Sequence, residues 1–229
     1  MKLKSAGLTI LGTDTEVGKT YVACRIIESL FRDGVSVRAY KPVASGAPSL
    51  EESDGYKLWD ASGRSGELDQ VNPQSFLAPL APPVAAELEG KQVSDSLIIE
   101  GAHYLIGQSN LLVLEGAGGL FSPISWSMTN ADLALEMQFP VVLVSKNRLG
   151  MVNQVLTTLV AARSIGLHVC CIVLNNVDKA QFDPTNSNVR MVRKFLANDF
   201  HPPFITELAH RSVDFRPVPN WHALASKQT

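Results

Sequence analysis

The chain is poor in several features that would tie it to a particular partner or compartment. It has 20 Lys and Arg against 22 Asp and Glu, a formal net charge of −2, so neither a nucleic-acid surface nor an anionic-membrane surface is expected. It lacks any apolar run long enough to span a bilayer. Met1 to Ser5 contain no signal-peptide core and run straight into an apolar strand. Cysteine is scarce, at three residues, and no Cys-x-x-Cys occurs. Cys24, Cys170 and Cys171 therefore read as buried, reduced thiols of a cytoplasmic protein rather than a disulfide scaffold. Internal repeats, low-complexity tracts and an interdomain linker are also missing, so residues 1–229 are expected to form a single domain. Hydrophobic residues make up 45% and charged residues 18%, which suits a chain with a real core.

What is present is a stretch from Gly12 to Thr20 reading Gly-Thr-Asp-Thr-Glu-Val-Gly-Lys-Thr. An apolar run, Leu8 to Leu11, precedes it, and a helix-like stretch, Thr20 to Phe31, follows. Strand, glycine-bearing turn and Gly-Lys-Thr opening a helix is the order of a phosphate-binding loop. The first turn of a helix offers unpaired N–H groups and the positive end of its dipole, both suited to phosphate oxygens. Gly18 permits close backbone approach, Lys19 can reach the β- and γ-phosphates, and the Thr20 hydroxyl can ligate Mg²⁺. The general motif has glycine five residues before the Gly-Lys pair; here that position is Thr13, and the glycine stands one earlier.

Strand-like and helix-like segments alternate along the chain. Strands are expected at Leu8–Leu11, Val35–Tyr40, Leu111–Leu114, Pro140–Ser145 and Val169–Leu174, with another beginning at Phe204–Ile205. Helices are expected at Thr20–Phe31, Asp54–Ser62, Ser94–Ile106, Asn130–Gln138, Asn153–Ile165 and Asn188–Asn198, with Ser94 and Asn130 as candidate N-caps. Asn72 to Pro83, with four prolines, reads as loop. Strands apolar along their whole length are buried on both faces, and their alternation with helices implies right-handed crossovers. The expected fold is a doubly wound α/β, mostly parallel sheet of about seven strands, P-loop NTPase-like, with nucleotide at the carboxyl ends of the strands.

Residues just after strands thus gather at one edge. They are the phosphate loop, Lys41 to Gly46, Glu115 with Gly116-Ala117-Gly118-Gly119, and Asn175-Asn176. Glu115 after an apolar strand suits a Mg²⁺-holding acid, directly or through water. The glycine run after it permits close approach and supplies N–H groups for an anion. Lys41 can neutralise phosphate charge. Asp54, taken alone, reads as the cap of the helix it opens.

Taken together, Gly12 to Thr20, Tyr40-Lys41-Pro42-Val43-Ala44-Ser45-Gly46, Ser53-Asp54, Asn72 to Phe76, Glu115 to Gly119, Leu149 to Asn153 and Asn175 resemble the dethiobiotin synthetase family. The resemblance spans roughly Leu8 to Leu208, and the family's phosphate loop has the same longer glycine spacing, which accounts for Thr13. It implies an ATP- and Mg²⁺-dependent ligase working as a homodimer. The reaction converts 7,8-diaminononanoate and CO₂ to dethiobiotin, ADP and phosphate, through a carbamate and a carbamic-phosphoric anhydride. Under it, Lys41, Lys19 and Glu16 are catalytic. Thr20, Asp54 and Glu115 hold Mg²⁺, which moves Asp54 from cap to ligand. Glu16, Val17, Gly18, Lys19, Thr20, Tyr21, Gly116, Ala117 and Gly118, with Asp54 and Glu115, bind the nucleotide cofactor. Asn175 reads the adenine edge, with Glu207 and Leu208 nearby, and Asn176 is also nucleotide-binding. Thr15, Ser45 and Gly118 face the diamine and carbamate, and Leu149, Gly150 and Asn153 receive the substrate carboxylate across the dimer interface.

Three positions depart from the family pattern: Pro83 and Gln154 stand where histidine is common, and Ala209 where proline is usual. Two alternatives share the phosphate loop: a P-loop switch or partitioning ATPase that binds a macromolecular partner, and a related ATP-dependent synthetase that activates another carboxylate. The first usually carries an early lysine in the loop, absent from Asp14 to Val17; the second usually carries an added glutaminase domain, for which 229 residues leave no room.

Overall fold

Uninterrupted hydrophobicity along a strand requires cover on both faces, and the helices provide it. The computed structural model describes residues 6–178 and 187–226; Met1 to Ser5, read above as lacking a signal-peptide core, and residues 227–229 lie outside them. In chain order the first half comprises β1 (Ala6–Gly12), α1 (Lys19–Arg32), β2 (Val37–Tyr40), β3 (Ala44–Ser45), α2 (Asp54–Ala61), α3 (Leu68–Val71), β4 (Ser75–Phe76), α4 (Pro82–Leu88) and α5 (Asp95–Ile106). Then follow β5 (Leu111–Gly119), α6 (Asn130–Met137), β6 (Val141–Lys146), α7 (Met151–Ser164), β7 (Val169–Asn175), α8 (Ser187–Phe195), β8 (Phe204–Leu208), β9 (Phe215–Arg216) and α9 (Trp221–Ser226).

Seven strands form one sheet in the order β2-β5-β1-β6-β7-β8-β9. All neighbours are parallel except the last pair, which is antiparallel. β3 and β4 pair in parallel as a separate two-stranded ribbon. Side chains alternate across the sheet, and β5 shows the result. Leu111 and Val113 join a core with Val22, Ile26 and Ile27 of α1, while Leu112 and Leu114 join one with Ile98 and Ala102 of α5. Each fully buried aliphatic side chain contributes about 1.5–3 kcal/mol, so these two layers fix the sheet between its helices.

The structure redraws several expected boundaries. β2 starts at Val37, not Val35, and α8 ends at Phe195 rather than Asn198. β5 continues past Leu114 to Gly119, so Glu115 to Gly118 belong to a strand and not to a loop beyond it. Its partners explain this: Ile10 of β1 lies opposite Glu115 and Gly12 opposite Gly119, which keeps the backbone extended. Within the proline-rich stretch, Pro82 opens α4, where its fixed φ and missing N–H suit a first turn. The C-terminal segment supplies β9 and α9. Trp221 is buried and stacks edge-on against Phe215 at 4.9 Å, so this segment closes one side of the β1–α1 core.

Two capping expectations also change. Ser53, not Asp54, caps α2: its hydroxyl accepts the Tyr56 N–H at 3.1 Å. Thr129, not Asn130, caps α6, in a reciprocal box with Asp132. Both displaced residues turn out to face the strand ends. Ser94 does cap α5, accepting from Leu97 N–H.

Candidate functional site

The parallel sheet brings the ends of β1, β2 and β5 together, and between them opens a cleft of about 380 Å³. Thr15, Glu16, Gly18, Lys19, Thr20, Lys41, Ser45, Asp54, Glu115, Ala117 and Gly118 line it.

The phosphate loop is held from behind. Thr13, the residue in place of the usual glycine, donates its N–H to Val144 O of β6 at 2.9 Å and its hydroxyl to Ser145 at 3.2 Å. It therefore prolongs the strand edge, and the bend begins one residue later. Glu16 has φ of 54°, a strained value for a residue with a side chain, at the tip of that bend. Gly18 caps α1 with φ of 83°, and a Cβ there would collide with the Asn175 amide. No side chain caps α1 and no acid stands in its first turn, so the leading N–H groups face the cleft as an anion site.

Two lysines enter the cleft in different electrostatic settings. Among the described residues Lys19 Nζ has one hydrogen bond, to Asp14 O at 3.3 Å. Burial, with help from the neighbouring Lys41 charge, pulls its ammonium down to about 8. Lys41, at the end of β2, is fully enclosed. Its Nζ lies 2.7 Å from Glu115 Oε1, 3.2 Å from Asp54 Oδ2 and 3.2 Å from Gly116 O. Burial opposes its charge, but the Glu115 and Asp54 carboxylates outweigh burial and push it up to about 12. Glu115, wholly buried, is raised, desolvation outweighing the pull of Lys41. Asp54 sits half-exposed at the cleft mouth; burial raises it, but Lys41 and Thr20 together bring it below the usual carboxylate value.

The metal-holding set assigned to Thr20, Asp54 and Glu115 meets a direct test of fit. The Thr20 hydroxyl donates to Glu115 Oε1 at 2.8 Å, and Glu115 and Asp54 share the Lys41 ammonium at 2.7 and 3.2 Å, so all three are adjacent. Glu115 Oε2 is buried with no hydrogen-bond partner among the described residues. A hydroxyl, two carboxylates and an orphaned carboxylate oxygen beside a phosphate loop suit a hard, oxygen-seeking cation such as Mg²⁺.

The glycine run is braced rather than open. Asn130 Oδ1 accepts Ala117 N–H at 3.0 Å, its Nδ2 donates to Ala117 O and Gly119 O at 2.6 and 2.7 Å, and Ser122 Oγ accepts Gly119 N–H at 2.8 Å. The expectation of free N–H groups at Ala117 and Gly119 is thus corrected: both are engaged. A Cβ at position 116 would meet the Asn130 amide, which is why glycine stands there. Asn130 escaped the sequence reading because an Asn at a helix start looks like a cap. Asn130→Ala should cost about 2–3 kcal/mol, roughly 1 kcal/mol per lost bond, and lower kcat/KM at least tenfold; urea titration and initial rates check the two effects separately.

Other sequence-predicted residues lie outside the cleft lining. Val17 is buried beneath the loop, and its carbonyl accepts the Asn175 amide at 3.0 Å. Tyr21 points toward the β8–β9 loop, donating to Ser212 O at 2.8 Å. Asn176 is buried, donating to Leu208 O at 3.3 Å and accepting from Asn147. Glu207 and Leu208 lie on β8, beyond β7. Gly116 supplies its carbonyl to Lys41 from within β5. Leu149 is 99% exposed, Gly150 caps α7, and Asn153 stands exposed in its first turn, all away from this cleft.

A family model described as an AAA domain matches residues 6–205. A protein of Rhodopirellula baltica named ATP-dependent dethiobiotin synthetase is 39% identical over 201 residues, covering 81% of this chain and 78% of its own. Proteins of the same name from Caulobacter vibrioides and Akkermansia muciniphila are 40% and 36% identical, covering 78% and 88% of this chain and 84% and 91% of theirs. Among solved structures, the signal recognition particle receptor FtsY of Elizabethkingia anophelis in complex with GDP superposes with a TM-score of 0.54 at 16% identity, over 99% of this chain and 66% of that one. That likeness shows the P-loop NTPase fold alone.

Proposed function

We propose a reaction for this cleft from its family: the chain belongs to the ATP-dependent dethiobiotin synthetases. It is an ATP-dependent ligase of biotin synthesis, and Mg²⁺ is the expected partner of its nucleotide. The substrates we assign are 7,8-diaminononanoate and CO₂, joined through a carbamate that is activated as a carbamic-phosphoric anhydride and closed by the second amine. The observation that carries this reading is the convergence on one cleft of Lys19 and Thr20 from the start of α1, Lys41 from the end of β2, Asp54 from the start of α2 and Glu115 from β5.

When bound, MgATP supplies the phosphoryl group that turns a poor carbamate leaving group into phosphate. The chain's part is placement and charge neutralisation, since phosphoryl transfer needs little covalent help from protein. Thr20, Asp54 and Glu115 are the residues that would hold the metal. Lys19 and the first-turn N–H groups of α1 neutralise the transferring phosphate. Lys41 steadies the carbamate, and Thr15, Glu16 and Ser45, on the cleft's outer wall, face the diamine. The strained Glu16 backbone is consistent with a side chain aimed at a second substrate. Asn175, Asn176, Glu207 and Leu208 surround the base. Leu149, Gly150 and Asn153 lie away from their own cleft, which supports a homodimer in which each copy completes its partner's site. We place this enzyme in the cytoplasm, as one catalytic domain across residues 1–229.

The decisive measurement is ADP release. It should require both diamine and bicarbonate; equal release without the diamine would overturn the reading in favour of a nucleotide switch. Asn153→Ala should raise the KM for the diamine about tenfold and leave the KM for ATP unchanged. Parallel increases in both constants would show that the first turn of α7 does not serve the substrate carboxylate.

A further inference from the structure

We infer that Lys41 is the resident cation of the metal site, held between Glu115 and Asp54 until a divalent ion takes those carboxylates and frees its ammonium for the substrate anion. The inference rests on the assignment of Thr20, Asp54 and Glu115 as metal ligands.

An ammonium has three donors and no acceptor. All three of Lys41's are matched to protein oxygens: Glu115 Oε1 at 2.7 Å, Asp54 Oδ2 at 3.2 Å and Gly116 O at 3.2 Å. In this arrangement nothing is left for a phosphate or a carbamate. Lys19 differs: among the described residues it has one carbonyl, at 3.3 Å, and its other donors are uncommitted to protein oxygens. A cleft with two lysines therefore presents only one as a ready anion ligand.

The oxygens around Lys41 are the ones a divalent ion would need. Glu115 Oε1 is shared between Lys41 and the Thr20 hydroxyl, at 2.7 and 2.8 Å, and Asp54 Oδ2 pairs with the same Lys41 ammonium at 3.2 Å. Thr20, Asp54 and Glu115 are thus already drawn together around a single positive charge. Mg²⁺ binds oxygen at about 2.0–2.1 Å, well inside the lysine distances, and an ammonium in contact with the same two carboxylates would repel it. Displacement requires no backbone change. Lys41 N donates to Val71 O and the Asn72 amide donates to Lys41 O, both at 2.7 Å, so the main chain is clamped and the four-carbon side chain alone swings. The clamp keeps the released ammonium within the cleft wall that includes Ala44 and Ser45. The consequence is an order of events: Lys41 reaches the substrate anion only after the metal is in place.

Binding of Mn²⁺ alone, followed by electron paramagnetic resonance without nucleotide, tests this. Lys41→Met should bind Mn²⁺ at least tenfold more tightly than the wild type, because the competing charge is gone. Equal or weaker binding by a variant with native circular dichroism would overturn the inference. A second measurement uses wild-type protein and so does not depend on that variant folding. The lysine ammonium signal assigned to Lys41 through Lys41→Arg, in a ¹H–¹⁵N spectrum, should shift or vanish on adding MgADP. An unchanged signal would mean that the metal takes only the free Glu115 Oε2 and Lys41 stays, which overturns the inference. The metal assignment has its own control: Asp54→Asn and Glu115→Gln should each weaken Mn²⁺ binding in the presence of ADP at least tenfold. If neither does, the assignment fails and the inference with it. If both do while Lys41→Met binds no more tightly, the inference alone falls.

Discussion

Lys19→Ala is expected to lower kcat by about a thousandfold while moving the melting temperature by no more than about 4 °C. The first figure follows from removing one preorganised positive group from the site of charge transfer, which typically costs 10²–10³. The second follows from the surroundings of Lys19. It is buried, yet among the described residues it pairs with no carboxylate and its Nζ has one hydrogen bond, to the Asp14 carbonyl at 3.3 Å. Its depressed ammonium, near 8, says that folding carries this charge into the cleft at a cost. Deleting it leaves no buried partner stranded and removes a cation that Lys41 repels. What remains is lost packing of the side-chain stem, about 1 kcal/mol, which for a chain of this size is about 2–4 °C. Rates and thermal melts on the same preparation measure both. Near-normal turnover would mean that the first turn of α1 does not hold the transferring phosphate.

Lys41→Ala should be equally inactive but differ in stability, losing about 3–5 kcal/mol, or about 10 °C in melting temperature. Here the deletion strands Glu115, which is wholly buried and loses its closest cation. Lys41→Ala/Glu115→Gln should recover most of the stability and none of the activity, because an amide is neutral and tolerates the site. The pH dependence fixes the sign. Burial already raises Glu115 above its ordinary 4.5, and losing Lys41 removes the strongest pull in the other direction. A raised carboxyl binds its proton more tightly in the folded state. The deficit should thus be small below about pH 4.5 and grow as pH rises through the elevated folded value. A deficit independent of pH would attribute the loss to packing and not to the stranded charge.

The contrast between these lysines marks the limit of what residue order could say. In sequence both suited phosphate, Lys19 at the start of a helix and Lys41 at the end of a strand. The phosphate loop itself was legible because its chemistry is local: Gly18, Lys19 and Thr20 are consecutive, and a helix start supplies the N–H groups whatever surrounds it. The parallel sheet was legible for a related reason. Apolar strands alternating with helices admit few topologies, and those topologies put the strand ends at one edge. That rule alone placed Lys41, Glu115 and the loop together before any distance was known.

Tertiary structure decided what each residue touches. Thr20 and Glu115 are 95 positions apart and Lys41 and Glu115 are 74 apart, so their shared oxygen has no signature in sequence. Asp54 and Asn130 both sat at helix starts, where capping is the common local role; the folded chain gave capping to Ser53 and Thr129 and turned the other two toward the strand ends. The final segment followed the same logic. β9 and α9 have no strong periodicity of their own, and Trp221 finds its place only against Phe215 and the β1–α1 core. Sequence determined the anion site, the order of strands and helices, and the edge where chemistry collects. Packing across the sheet determined which way the pKa of Lys19, Lys41, Asp54 and Glu115 shifts, because desolvation and pairing depend on neighbours that the chain brings together only by folding.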